Sequence, residues 1–105
     1  MIYVIDIDGT ICDDTQGHYE LCQPFRDRIY KINQLYDAGH TIIYQTARGM
    51  GSSNGDQIKA YKKYYNFTYN QLAEWDCKFH ELYLGKPKAD LYVDDKAISD
   101  SSFFG

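Results

Sequence analysis

The residues of this sequence that can do chemistry begin with an acid pair at the end of an apolar run. Asp6 and Asp8 are followed directly by Gly9, within the pattern DIDGT. A carboxylate is a competent nucleophile toward phosphorus when a cation screens its charge. A second carboxylate nearby can protonate a leaving oxygen and then deprotonate water. Gly9 allows a sharp turn that presents backbone N–H groups to a phosphate. The pattern favours phosphoryl chemistry over a plain Asp-Gly turn.

Two further stretches offer groups that bind phosphate. Thr46, Ala47 and Arg48 follow a second apolar run, so the Thr46 hydroxyl can hydrogen-bond a phosphate oxygen. The guanidinium of Arg48 can grip a second anionic group of the substrate. Lys86 can neutralise phosphate and hold the nucleophile's carboxylate, and Lys88 is the reserve candidate. Taken singly, Thr46 is also common at the end of an ordinary strand, and Lys86 is also common in an ordinary exposed loop.

A second acid pair, Asp94 and Asp95, closes the short apolar run Leu91–Val93. Two adjacent acids repel each other unless something cationic joins them. Mg²⁺ prefers one or two carboxylates together with waters and phosphate oxygens. Together with Asp6, the pair therefore predicts a magnesium site.

The elements that must position these groups alternate along the chain. Apolar, β-branched runs predict strands, and apolar residues at helical spacing predict helices. The predicted strands cover Met1–Ile7, His40–Gln45, Phe79–Leu84 and Leu91–Val93. The predicted helices run from Pro24 to Gly39, over Ile58–Tyr65 and over Tyr69–Asp76; loops cover Asp8–Cys22 and Thr46–Gly55.

This alternation predicts an α/β protein with a small, parallel, doubly wound sheet and helices on both faces, a three-layer Rossmann-like fold. In such a sheet, the carboxyl ends of all strands share one edge, and ligands bind there. Asp6, Thr46, Lys86 and Asp94 each lie at or just past the end of a predicted strand. The four stretches are therefore expected to converge on one crevice.

Length and composition limit what the protein can be. A chain of 105 residues, of which 44% are hydrophobic, predicts one domain over residues 1–105. The net charge of -4 argues against a general nucleic-acid binder. No apolar run is long enough to span a membrane, and no signal peptide precedes the first strand. The three cysteines form no zinc or disulfide pattern, so we expect a soluble cytoplasmic protein.

The order of the reactive groups resembles the four-motif signature of the haloacid dehalogenase (HAD) superfamily, over nearly the whole chain. In that signature an acid pair, a threonine, a lysine and a second acid pair each follow a strand. The resemblance implies that Asp6 is the nucleophile and Asp8 the general acid and base. The phosphate-binding residues would then be Gly9, Thr46, Ala47, Arg48 and Lys86.

The same resemblance implies a magnesium cofactor. Asp94 would hold Mg²⁺ together with the Asp6 carboxylate and the Asp8 carbonyl, and Asp95 would assist. Phosphoryl transfer is mostly positioning and charge neutralisation, which Mg²⁺ and one lysine supply.

A narrower resemblance, to the small predicted capsule-biosynthesis phosphatases of this superfamily, rests on TARGMGSS from Thr46, QLAEW from Gln71 and GKPKADLYVDDKA from Gly85. It implies a small phosphorylated substrate, a sugar phosphate or a polysaccharide precursor. The gaps Ile11–Gln23 and Ala47–Gly85 leave no room for the usual cap domain. We therefore expect a capless (subclass III-like) enzyme whose open site accepts a large substrate or is closed by a partner subunit.

Other interpretations remain open at this point. Capless members of the superfamily include phosphatases of nucleic-acid 3′-ends. A non-hydrolysing phospho-receiver also uses an acid cluster, Thr and Lys at strand ends. Cys22 and Arg28 have the spacing of cysteine-dependent phosphatases, but Pro24 removes one of the backbone donors which that loop needs. Gly49–Gly55 can serve as a small lid, and the aromatic content favours a homo-oligomer.

Overall fold

The computed structural model describes the whole chain, Met1–Gly105. Three parallel strands alternate with helices, and one 3-10 turn precedes the first helix. The strands are β1 (Ile2–Ile5), β2 (Thr41–Gln45) and β3 (Glu81–Tyr83). The helices are α1 (Arg26–Asp37), α2 (Gln57–Glu74) and α3 (Asp100–Phe104), and the 3-10 turn is Tyr19–Leu21. None of the helices has both the length and the apolar character needed to cross a membrane.

The sheet has the order β1-β2-β3, with β2 in the centre and parallel pairing on both sides. On one side of β2, Ile43 pairs with Val4 of β1, and on the other side Tyr44 pairs with Leu82 of β3. Because the strands are parallel and neighbouring in sequence, all three end at the same edge. The residues that follow Ile5, Gln45 and Tyr83 therefore start from a common rim.

The core lies between one face of the sheet and both long helices. The buried members of the sheet on this face include Ile5, Ile42, Tyr44 and Leu82. The helices close this face with buried side chains, which are Ile29 and Ile32 of α1 and Leu72 of α2 with the adjoining Trp75.

On the other face of the sheet, Ile2 and Val4 are exposed. The parallel α/β architecture matches the prediction, but both long helices pack on one face rather than on two. Two successive right-handed crossovers between adjacent strands in the order β1-β2-β3 place both helices on the same side.

Helix α2 is continuous, whereas the sequence predicted two helices with a break between Tyr65 and Tyr69. The helix begins at a strong cap, because the Asp56 carboxylate accepts from the N–H groups of Ile58 and Lys59. Thr68, a poor helix former, is fully buried there. The helix therefore continues through the residues where we predicted a break, and the burial of Thr68 helps to hold it together there.

Two other boundaries differ from the prediction. Helix α1 begins at Arg26 with Phe25 as its N-cap, because Pro24 forms a bridge with Cys12 instead. Leu91–Val93 forms no strand, and all three residues are exposed. A parallel strand needs a crossover of about a dozen residues or more. Only residues 84–90 separate β3 from Leu91, so the expected fourth strand cannot form in this sheet.

Candidate active site

Asp6 lies directly after β1, at the rim where all three strands end. The loop that follows it is fixed by Ile7 and Ile11, whose side chains are fully buried. The Thr10 hydroxyl donates to Asp6 Oδ2 at 3.3 Å and restricts the orientation of the carboxylate. Gly9 has φ +82°, which only glycine adopts easily. The sequence-predicted turn after the first acid pair is therefore present.

Backbone donors near this turn are partly occupied. The Gly9 N–H donates to the Cys12 carbonyl at 2.9 Å, so it is not free for the phosphate contact we predicted. The N–H groups of Asp8 and Ala47 make no backbone hydrogen bond. The Thr46 hydroxyl accepts from the Arg48 N–H at 3.1 Å, which leaves its own proton to donate. Free donors on two neighbouring loops suit an anion.

Lys86 contacts the predicted nucleophile. Its Nζ lies 3.6 Å from Asp6 Oδ1, with the two side chains 20% and 35% exposed. The Lys86 N–H donates to the Thr46 carbonyl at 3.2 Å and so joins two of the predicted stretches. The pKa of Asp6 is raised, because burial penalises the carboxylate more than the charge of Lys86 favours it. The rim therefore holds an anion that one lysine does not fully compensate.

Lys88 lies against the neighbouring loop instead. A Cβ atom added at Gly51 would lie 3.1 Å from Lys88 Nζ, which places this ammonium beside the Gly49–Gly55 segment. Lys86 is thus the lysine that contacts Asp6, as the spacing to Asp94 favoured.

Arg48 holds Asp8 and its side chain is fully buried, whereas we predicted that it grips a second anionic group of the substrate. Its Nε donates to Asp8 Oδ2 at 3.0 Å and its Nη2 to Oδ1 at 2.9 Å, a two-point contact. The guanidinium is fully buried and also donates to Thr68 Oγ1 and Gln71 Oε1. Burial of a charged group requires that its donors be satisfied, and these partners satisfy them.

The partners of Arg48 were not identified from the sequence. Gln71 donates from Nε2 to the Tyr19 carbonyl at 2.8 Å, and the Tyr19 ring lies 4.7 Å from the guanidinium carbon of Arg48. Tyr19 also packs edge-on against Tyr64 at 5.1 Å. The one available signal was the pair of polar residues, Thr68 and Gln71, three apart on the inner face of α2.

Two thiols complete the surroundings of Asp8. Cys12 and Cys22 donate to Asp8 Oδ1 at 3.7 and 3.5 Å. Burial raises the pKa of both thiols, so they are neutral donors. Arg28 pairs with Asp100 at 2.7 Å and donates to the Thr10 carbonyl at 3.0 Å, and it makes no hydrogen bond to Cys22. A neutral, buried Cys22 without Arg28 beside it contradicts the cysteine-dependent phosphatase interpretation.

Asp94 and Asp95 are not brought to the rim within one chain. Both are exposed and neither contacts Asp6 or Asp8. The pKa of Asp94 is lowered, mainly because its carboxylate accepts from the Lys96 N–H. The expected convergence of four stretches is therefore reduced to three, those of Asp6, Thr46 and Lys86.

No family model matches this chain, and no curated protein matches it. A crystal structure of a protein from Vibrio cholerae is similar, with a TM-score of 0.90 and 25% identity over 98% of this chain and 86% of that one. A second similar structure is the D,D-heptose 1,7-bisphosphate phosphatase from B. bronchiseptica, complexed with magnesium and phosphate. Its TM-score is 0.56 at 17% identity, over 91% of this chain and 53% of that one. The likenesses confirm the predicted Rossmann-like, HAD-like fold.

Proposed function

We propose that this chain is a magnesium-dependent phosphomonoester hydrolase that works through an aspartyl-phosphate on Asp6. The observation that carries the proposal is the contact of Asp6 with Lys86 at the rim where all strands end. A half-buried carboxylate beside an ammonium, with free backbone donors on adjacent loops, suits a phosphoryl group.

The reaction has two halves. An Asp6 oxygen attacks phosphorus and the bond from phosphorus to the ester oxygen breaks, while Lys86 balances charge on the phosphoryl oxygens. A water oxygen then attacks the same phosphorus and the bond to Asp6 breaks. Asp8 takes the proton of that water and returns it to the leaving oxygen of the next substrate.

The two-point contact with Arg48 affects the role of Asp8. The guanidinium contacts both carboxylate oxygens and fixes their direction. The contact therefore positions Asp8 for the proton transfers with the water and with the leaving oxygen.

The residues present fit magnesium. Mg²⁺ prefers oxygen ligands, and Asp6 would supply a carboxylate oxygen and Asp8 its backbone carbonyl, because Arg48 holds both oxygens of the Asp8 carboxylate. Lys86 Nζ lies 3.6 Å from Asp6 Oδ1, and burial still disfavours the Asp6 carboxylate, so a divalent cation there would stabilise it further. When bound there, Mg²⁺ would neutralise charge on the phosphoryl oxygens.

A small phosphorylated substrate, a sugar phosphate or polysaccharide precursor, is the class we propose. The segment Ile11–Gln23 holds only a short 3-10 turn, and Ala47–Gly85 is used by α2 and β3, which supports a capless, open site. The heptose bisphosphate phosphatase among similar structures makes sugar phosphates the first choice. The net charge of -4 disfavours nucleic-acid ends as substrates. We propose that the chain is a single domain that acts in the cytoplasm.

The test is phosphate release from sugar phosphates, nucleotides and 3′-phosphorylated oligonucleotides, with Mg²⁺ and with chelator. We expect turnover of a sugar phosphate that needs Mg²⁺ and is lost in Asp6→Asn. Asp37→Asn is the control, because Asp37 is an exposed acid paired with Lys78. Turnover that survives Asp6→Asn or ignores chelator would contradict the mechanism. A phosphorylated protein that never releases phosphate would favour the receiver alternative.

A further inference from the structure

The segment 87–99 lies largely outside the body of the protein, which it touches through the Tyr92 ring, 4.2 Å from Lys86 Nζ, and through Lys88 beside Gly51. It begins next to Lys86, which contacts Asp6, and ends at Asp100, which Arg28 holds at 2.7 Å. Between these anchors every residue is exposed. The exposed fractions of its apolar residues are large, namely Leu91 76%, Val93 90% and Ile98 63%. Apolar residues held this far out of the core mark an interaction surface.

A matching surface lies on β1. This strand pairs only with β2, so one side of its backbone has no partner strand. On the open face of the sheet, Ile2 and Val4 are 68% and 60% exposed. An unpaired, apolar edge strand is a template for a further strand. Because Asp6 directly follows this edge, a strand added here would end beside the nucleophile.

The chain cannot place its own segment on that edge and still bring Asp94 to Asp6. A parallel strand would have to start at the far end of β1, and residues 84–90 are too few for such a crossover. An antiparallel strand on β1 would start at the rim near Lys86 and run away from it. It would therefore carry Asp94 to the end of the sheet where the three strands begin, far from Asp6.

We propose that Leu91–Val93 of one copy adds as a parallel strand to β1 of a second copy, reciprocally. Each copy thereby supplies Asp94 and Asp95 to the other's Asp6. In the register that sets Val93 beside the partner's Val4, alternation along the strand puts Leu91 and Val93 on the same face as the exposed apolar pair of β1. This inference rests on the proposed function, since it completes the acid set of that site.

The segment is long enough for this exchange. Five residue steps separate Lys86 from Leu91, and five separate Asp95 from Asp100, so each arm spans up to about 17 Å. Such arms can reach a neighbouring copy while Lys86 keeps its contact with Asp6 and Asp100 keeps its contact with Arg28. The exchange gives up the contact between Lys86 and the Tyr92 ring of the same chain. A reciprocal exchange is the closed, twofold arrangement most common among oligomers.

The negative charges of the acids make the strand exchange depend on a divalent cation such as Mg²⁺. Strand addition brings Asp94 and Asp95 close to Asp6, and three carboxylates repel one another. A divalent cation between them removes that repulsion. We therefore expect Mg²⁺ to tighten the dimer by about 10-fold or more, by mass action.

Mixing two inactive variants tests whether the site is shared. Asp6→Asn and the double variant Asp94→Asn/Asp95→Asn are each expected to lack turnover. In a mixed dimer, one site keeps both a native Asp6 and a native partner acid pair. A 1:1 mixture should recover about one quarter of the native turnover, by the twofold symmetry. A mixture as inactive as its components would show that each site is built within one chain.

Assembly gives a readout that does not depend on finding a substrate. Sedimentation should show a dimer that Mg²⁺ strengthens, and Val93→Asp should be monomeric. Ile58→Asp is the matched control, because Ile58 is 70% exposed on α2, and it should stay dimeric. A native protein that stays monomeric at high concentration with Mg²⁺ would overturn the inference, whatever its activity.

Paired cysteines test the register. Val4→Cys/Val93→Cys should give a covalent dimer under oxidation, whereas Ile58→Cys/Val93→Cys and the native protein should not. A disulfide formed within one chain would show that the segment folds back in cis, against the proposal. If no substrate is turned over but the covalent dimer forms, the proposed function fails and the exchange stands.

Discussion

Asp8 and Arg48 form a two-point ion pair in which the arginine is fully buried and the carboxylate is largely buried. The pair joins the loop after β1 to the loop after β2. It also connects to α2 through Gln71, at 2.7 Å from Arg48 Nη1. One buried guanidinium thus holds the acid pair of the first loop in place against the rest of the fold.

Removal of Arg48 is expected to be strongly destabilising. Arg48→Met leaves Asp8 as an uncompensated buried charge, which costs about 3–5 kcal/mol of unfolding free energy. The double variant Asp8→Asn/Arg48→Met should recover part of the loss, because no charge is left unpaired. Urea denaturation measures both.

The matched control is Arg28→Met. Arg28 pairs with Asp100, whose side chain is 41% exposed, and also donates to the Thr10 carbonyl. Its removal leaves no buried carboxylate unpaired, so the loss should be smaller, about 1–2 kcal/mol. A loss from Arg48→Met as small as this control would show that Asp8 finds another partner.

Asp6→Asn should stabilise the metal-free protein at neutral pH. The pKa of Asp6 is raised above its ordinary value of 3.8, chiefly by burial, so the ionised carboxylate disfavours folding. The penalty is absent below that value and appears as pH rises through the raised pKa. The Tm of the variant should therefore exceed that of the native protein at pH 7, and the difference should shrink in acid.

Asp100→Asn should change the Tm at pH 7 in the opposite direction to Asp6→Asn. The Arg28 guanidinium lowers the pKa of Asp100, so its carboxylate favours folding at neutral pH. This variant should melt lower at pH 7, and its deficit should vanish as pH falls through the lowered pKa. Equal behaviour of the two variants would contradict the assigned electrostatics.

Tyr44→Phe should stabilise the protein. The Tyr44 hydroxyl is buried and makes no hydrogen bond of ordinary geometry; the weakly polar Cys77 thiol lies beside it, and burial raises the pKa of the hydroxyl. Removal of an unsatisfied polar group should gain about 1 kcal/mol, while the edge contact with Phe79 is kept. Tyr30→Phe, at a residue 65% exposed, should change nothing. A less stable Tyr44→Phe would reveal a partner for the hydroxyl.

Gly49 and Gly55 separate backbone strain from steric fit. Both have positive φ, so alanine at either costs about 1–2 kcal/mol in strain. A Cβ at Gly49 would lie 2.6 Å from Tyr64, whereas nothing lies within 4 Å at Gly55. Gly49→Ala should therefore be clearly the more destabilising in thermal denaturation. Equal losses would mean that Tyr64 moves freely.

The α/β class and the placement of Asp6, Thr46 and Lys86 on one rim were predictable from sequence. Apolar runs ending in reactive residues fix which residues follow the strand ends, and parallel pairing brings these ends together. The pairing of Arg48 with Asp8 was not predictable. It arises because the loop after β2 packs against α2 and buries the Arg48 side chain, and the spacing of residues along the chain does not predict that packing.

The prediction of a fourth strand within the chain's own sheet was wrong for a reason that the sequence did contain. Leu91–Val93 has the composition of a strand, but the connection before it is too short for a parallel crossover. The break predicted in α2 failed differently. Thr68 weakens a helix by local propensity, but its burial beside Arg48 helps to hold the helix together there.

The measurement that tests the central claim most directly is to locate the phosphoryl group during turnover. Native protein with Mg²⁺ and substrate is quenched in acid, and its peptides are examined by mass spectrometry. We predict a phosphorylated carboxylate at Asp6, absent in Asp6→Asn and longer-lived in Asp8→Asn. Turnover with phosphate on another residue, or with none bound to the protein, would contradict Asp6 as the nucleophile.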